Sequence, residues 1–134
     1  MPGRKFSIHD NNDHKMAEKR IYLASRSPRR RELLKQIGVN FELMLLREDP
    51  RRGSDVDETP HQDETAEAYV LRMASAKADI AARVVGQRGL LLQSPVLAAD
   101  TTVVLDGRII GKPSDADHAV EILQALSGRQ HRVI

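Results

Sequence analysis

The sequence predicts an α/β fold with a mixed central sheet flanked by helices. Two patterns and one turn carry that expectation. Short apolar runs at 21–24, 39–46 and 96–105 have the length of strands, and longer periodic segments with helix start and stop signals separate them. Asp106-Gly107 then marks a tight hairpin, so at least one strand pair runs antiparallel.

Residues 1–19 are polar and aperiodic and read as a disordered extension, with Met16 as an alternative start and His9 and His14 as loose surface histidines. The run IYLA (21–24) reads as a buried strand. Ser27 at N-cap and Pro28 at the first helical position start a helix, because proline's missing N–H costs nothing there. That helix runs through Arg31, Leu33, Leu34 and Ile37, and Gly38 stops it. Residues 39–46 are strand-like. Residues 47–64 hold Pro50, Gly53 and Pro60 among many charges and read as a long loop, of a length that is often functional. Thr65 caps a helix over 66–85 with its apolar stripe on Tyr69, Met73, Ile80 and Val84, and Gly86 and Gly89 end it. Residues 96–105 read as one buried strand, with 108–110 its return across the hairpin. Ser114 or Asp115 caps a helix ending near Leu126, with Gly128 as stop, and 131–134 begin a strand with no partner after it.

Composition narrows the function classes. The chain has 134 residues, one domain's worth, with 40% hydrophobic and 30% charged residues, which is enough to build a core. With no cysteine, a disulfide framework, a thiolate metal site and a thiol nucleophile are all excluded. No apolar run has membrane-spanning length and the N-terminus lacks a signal peptide's apolar core, so no membrane role and a cytoplasmic location are expected. A net charge of +2 and only 3% aromatic residues argue against nucleic-acid binding. The charge is uneven: residues 1–52 carry 13 Lys and Arg against 7 Asp and Glu, and 53–134 carry 8 against 12. A site that holds a polyanion beside a metal fits that division, although on composition alone a mixed, solvated surface is the simpler account.

Five constellations could carry chemistry. Ser25-Arg26-Ser27-Pro28-Arg29-Arg30 sits at a strand-to-helix junction, where free backbone N–H groups, serine hydroxyls and guanidinium forks all suit phosphate. An ordinary capped helix with a basic first turn is the alternative, but cations there oppose the helix dipole. Asp55-Val56-Asp57-Glu58 is a carboxylate cluster able to bind Mg²⁺, or simply a solvated acidic loop. Lys77 lies four residues beyond Met73 on the apolar stripe, so it either snorkels or reaches into a site. Asp100, followed by Thr101, interrupts an apolar strand, where a carboxylate is costly unless paired or metal-bound. A structural ion pair is the competing account. Gly111-Lys112-Pro113 projects a point charge from a stiff turn, a common tripeptide in isolation. Together these residues suit metal-assisted attack on a phosphoanhydride.

The runs LASRSPRRRELL, DVDET, YVLRMASAKA, AADTTVVLDG and GKPSDADHA, in this order over residues 20–134, resemble the Maf (septum-formation protein Maf) family. SPRR together with ADTTV resembles the branch acting on dTTP and UTP. The resemblance implies a Maf/ITPase-like architecture with a cleft between two lobes, often as a homodimer. It implies Mg²⁺- or Mn²⁺-dependent hydrolysis of a nucleoside triphosphate between the α- and β-phosphates, giving the monophosphate and pyrophosphate. Ser25, Arg29 and Arg30 would then grip the phosphates, with Ser27 and Thr101 among the substrate-binding residues. Glu58 would bind metal, and Lys77 and Lys112 would neutralise charge building on the phosphates. Asp100 would be the base or water-orienting carboxylate and a further metal ligand. Family members continue past the position of Ile134 through more strands, one wall of the cleft and a glutamine-bearing loop, so the resemblance implies a domain incomplete at its C-terminus. Arg47–Ser54 forms a longer loop than in many relatives. A nucleotide-sensing regulator of cell division without turnover is the alternative function.

Overall fold

A computed structural model describes residues 20–49, 53–89 and 94–134. The extension expected at 1–19, with Met16, His9 and His14, lies outside them. In chain order the elements are β1 (Arg20–Leu23), α1 (Pro28–Gln36), β2 (Asn40–Leu43), β3 (Glu48–Asp49), β4 (Gly53–Ser54), α2 (Ala66–Gln87), β5 (Val96–Leu97), β6 (Val103–Leu105), β7 (Arg108–Ile110), α3 (Ala116–Leu126) and β8 (Arg132–Val133). The α/β class holds, and both pairing senses occur. Among the described residues they occupy separate sheets: a parallel sheet ordered β2-β1-β5, an antiparallel sheet ordered β7-β6-β8, and a β3-β4 ribbon.

β1 is the middle of the parallel sheet, with Ile21 opposite Phe41 and Tyr22 opposite Val96. That position buries Tyr22, Leu23 and Ala24. α1 starts as its local chemistry dictates: the Ser27 hydroxyl accepts the Arg30 N–H and Pro28 occupies the first turn. It ends at Gly38, whose φ of +70° is the left-handed region that favours glycine, with the Gly38 N–H bonded to the Lys35 carbonyl. No residue of α1 is buried, so it rides on the outside of the sheet.

α2 is the inner helix. Thr65 caps it by accepting the Ala68 N–H, and its 22 residues make it about 33 Å long. Its C-terminal half puts Ala81 and Val85 into a cluster with Tyr22, Ala24 and Met44 of the parallel sheet's layer. Its N-terminal half puts Tyr69 and Met73 against Val56, with Ile109 of β7 packed alongside, and Leu46 touches both clusters. One helix thus joins the two three-stranded sheets. Met73, 1% exposed, contributes about 1.5–3 kcal/mol by its burial alone.

Two expectations need correction, and the terminal strand finds its partner. Residues 96–105 are not one strand: β5 ends at Leu97 in the parallel sheet, β6 starts at Val103 in the antiparallel one, and 98–102 are irregular. An ionised Asp100 has no partner within a buried ladder, and the chain leaves the ladder where that carboxylate finds one. The terminal strand does have a partner, and it lies earlier in the chain. β8 pairs antiparallel with β6, Val133 opposite Val103, and Thr102 and Ile134 exchange backbone hydrogen bonds of 2.9 and 3.0 Å. The long loop is also interrupted by the β3-β4 pairing. The Asp106-Gly107 turn is as expected, both residues at positive φ (50° and 75°), the primed geometry that matches strand twist. Among the described residues, no helix is long and apolar enough to cross a membrane.

Candidate active site

The site begins at the corner where β1 turns into α1. Ser25 is buried, and its hydroxyl accepts the Ser27 N–H at 3.1 Å and the Arg30 Nη1 at 3.3 Å. The other arm of the Arg30 fork donates to Thr101 Oγ1 at 3.1 Å. Both described partners are neutral hydroxyls, so the guanidinium is aimed without being cancelled. It also ties the first turn of α1 to the irregular stretch that carries Asp100.

The second part comes from α2. Tyr69, Met73 and Ala81 are buried, and Lys77, on the same stripe, has a side chain only 14% exposed. Its Nζ meets Asp100 Oδ1 at 2.6 Å and Glu58 Oε1 at 3.2 Å. Glu58 in turn faces Lys112 through Oε2 at 3.6 Å. Charges therefore alternate along Lys112, Glu58, Lys77 and Asp100. Burial works against the Lys77 ammonium, but the hydrogen bond and charge of Asp100, with Glu58 behind them, outweigh it and raise the lysine above its ordinary value. Lys77 is thus a fixed cation at neutral pH.

These groups surround one cleft of about 340 Å³, lined by Ser25, Ser27, Arg30, Glu58, Lys77, Asp100, Thr101 and Lys112, together with Arg26, Leu46, Arg47, Ser54 and Val56. The sequence-derived set comes together with one exception. Arg29 is exposed on α1 and outside this lining, because neighbouring helical residues face directions about 100° apart and Arg30 takes the inward one. The acidic run also divides. Asp55 pairs with Arg47, accepting its backbone N–H at 2.6 Å. Asp57 accepts the Thr59 N–H, and the hydrogen bonds of Thr59 hold its carboxyl below the usual range. Val56 enters the core, and only Glu58 of the four lines the cleft with its carboxylate.

Arg26, within the basic strand-to-helix junction, and Arg47, in the long loop and not among the expected site residues, also line the cleft. Arg26 donates from Nε and Nη2 to the Leu46 carbonyl at 3.2 and 2.7 Å. Arg47 follows at the next position. The only local signal was their basic character, since the contact between 26 and 46 is long-range. With Arg26, Arg30, Arg47, Lys77 and Lys112 against Glu58 and Asp100, the cleft is net cationic. A hard divalent cation takes one or two carboxylates and completes its shell from water and phosphate oxygens. Glu58 and Asp100 fit that donor set, and no group of three or more His, Asp or Glu able to hold a metal exists among the described residues.

A cleft of this kind, cationic, hydroxyl-lined and holding a shielded carboxylate, is complementary to an anion rich in oxygen acceptors. The chain belongs to the Maf-like protein family, which it matches over residues 20–134. It is 58% identical over 113 residues to a dTTP/UTP pyrophosphatase of Nitrosomonas europaea, covering 84% of this chain and 54% of that protein. It is 56% identical over 121 residues to a dTTP/UTP pyrophosphatase of Aromatoleum aromaticum, covering 90% and 58%. With a dTTP/UTP pyrophosphatase of Nitrosospira multiformis it shares 55% identity over 117 residues, covering 87% and 56%. The chain thus spans a little over half the length of these relatives.

Proposed function

We propose that this protein is a nucleoside triphosphate pyrophosphatase acting on dTTP and UTP, with the cleft described above as its active site. The reading rests on the Lys77 ammonium clasped between Asp100 and Glu58, in the same cleft as the Arg30 and Ser25 corner. The names of its relatives support the substrate class.

Arg30, the Ser25 and Ser27 hydroxyls and the α1 N-terminus bind phosphate oxygens, while Lys112 and Lys77 offset the charge that gathers on the departing pyrophosphate. Asp100 orients a water toward the α-phosphorus and accepts its proton as the new P–O bond forms and the α–β bridging bond breaks. Lys77 keeps that carboxylate in place. Glu58, with Asp100, would hold a divalent cation such as Mg²⁺ or Mn²⁺, which supplies Lewis-acid polarisation of the phosphates.

Full-length protein with Mg²⁺ is expected to release pyrophosphate from dTTP and UTP faster than from other nucleoside triphosphates. Asp100→Asn is expected to lower that rate by about 10²–10⁴-fold. Pyrophosphate release by Asp100→Asn at the parental rate would refute the role of the carboxylate, and binding of dTTP without any turnover by the parent would refute the enzyme reading.

A further inference from the structure

Glu58 sits on a segment without regular structure, yet its carboxylate must meet two lysines. The backbone around it is tied down from one side. The Tyr69 hydroxyl donates to the Glu58 carbonyl at 2.8 Å, from a ring that is 8% exposed. One turn further along α2, Arg72 Nη2 donates to the Thr59 carbonyl at 3.1 Å. The same guanidinium grips Glu64 through both arms at 2.6 and 2.7 Å and lies over the Tyr69 ring, 5.5 Å from its centroid. Tyr69 and Lys77 share a helix face, two turns apart. One face of α2 therefore holds Glu58 twice, by its backbone at Tyr69 and by its side chain at Lys77. Burial, then the charges of Asp100 and Glu58, raise the Tyr69 hydroxyl above its ordinary value, so it remains a donor throughout the neutral range.

We propose that Tyr69 is a positioning residue for Glu58, setting the carboxylate's place in the cleft through its backbone, with the Arg72 fork on Glu64 and Thr59 as the latch that keeps the segment against α2. This rests on the pyrophosphatase reading, in which Glu58 faces the metal-bound triphosphate. Tyr69 touches neither phosphate nor metal in this account, and its effect passes entirely through Glu58. A Tyr that merely filled the core would act on stability and nothing else.

The two roles separate in a double-mutant cycle on full-length protein, read as the dissociation constant of tripolyphosphate in saturating Mg²⁺. Tyr69→Phe keeps the ring, its packing and its contact with Arg72, and removes one hydrogen bond. It is expected to weaken binding about fivefold, the scale of one hydrogen bond. In a Glu58→Gln background the same change is expected to cost less than about 1.5-fold, because the group it positions is already altered. Glu67→Gln, also on α2, removes an exposed pair to Arg132 of β8 and serves as the neutral control. Equal losses from Tyr69→Phe in both backgrounds would overturn the proposal and leave the enzyme reading intact. Absence of Mg²⁺-dependent binding in the parent would overturn both. If Tyr69→Phe does not fold, Arg72→Lys goes through the same cycle with the same expectations, since lysine keeps the charge and loses the fork.

Discussion

Replacing Lys77 with Met tests whether one ammonium truly holds two carboxylates. Asp100 and Glu58 share it at 2.6 and 3.2 Å, so their oxygens lie within about 5.8 Å of each other. Two like charges at that distance, at the effective dielectric of about 20 that suits partly buried pairs, repel by about 3 kcal/mol. Methionine keeps the volume and the packing on the stripe but leaves that repulsion uncompensated. The variant should lose about 3 kcal/mol at pH 7.5, read as a fall in urea midpoint of about 2 M for an m-value near 1.5 kcal/mol/M. Lys77→Met combined with Asp100→Asn should recover most of the loss at pH 7.5. A deficit under about 1 kcal/mol, or one that Asp100→Asn leaves unchanged, would show that Lys77 is not the counter-charge of this pair.

Two further outcomes concern the frame around the site. The Arg72 fork on Glu64, its largest influence, depresses that carboxyl to about 2 from an ordinary 4.5. Its stabilisation is therefore fully present above pH 4.5 and lost as pH falls through about 2. Parent and Glu64→Gln should differ in urea midpoint at pH 6 and converge toward pH 2. Thr65→Ala removes the cap that accepts the Ala68 N–H and should cost about 1 kcal/mol, measured by urea unfolding, with no change in the pH dependence of stability.

What could be read in advance was local chemistry. Ser27-Pro28, Thr65 and Asp106-Gly107 specify their caps and turn through contacts no more than a few residues away, and the structure has each of them there. The placement of Lys77 followed from a helical period, which needs no tertiary knowledge. What could not be read was which of several similar residues turns inward. Arg29 and Arg30 are chemically alike, and the Ser25 and Thr101 hydroxyls decide between them across 71 positions of chain in the second case. Asp55, Asp57 and Glu58 likewise form one acidic run, and the competition among Arg47, Thr59 and Lys77 for them sorts it. The return of β8 to β6 is non-local in the same sense: no spacing rule reports it.

The break in the strand at 98–102 and the presence of the cleft are a single physical fact. A continuous strand from Val96 to Leu105 would extend one ladder. Instead the chain leaves the parallel sheet at Leu97 and joins the antiparallel sheet at Val103, and Asp100 lies in the gap. Openings form where strands part company, and polar ligands enter there because the backbone is not consumed by pairing. The helix that supplies Lys77 is the same one whose two halves pack on the two sheets, so the ammonium arrives at the seam without any special device. A half-buried ion pair is poor value as a stabiliser, since well-packed apolar residues of similar volume commonly do as well or better. Its position where the parallel and antiparallel sheets separate, beside a guanidinium whose described partners are neutral hydroxyls, is what the proposed chemistry on a charged ligand requires.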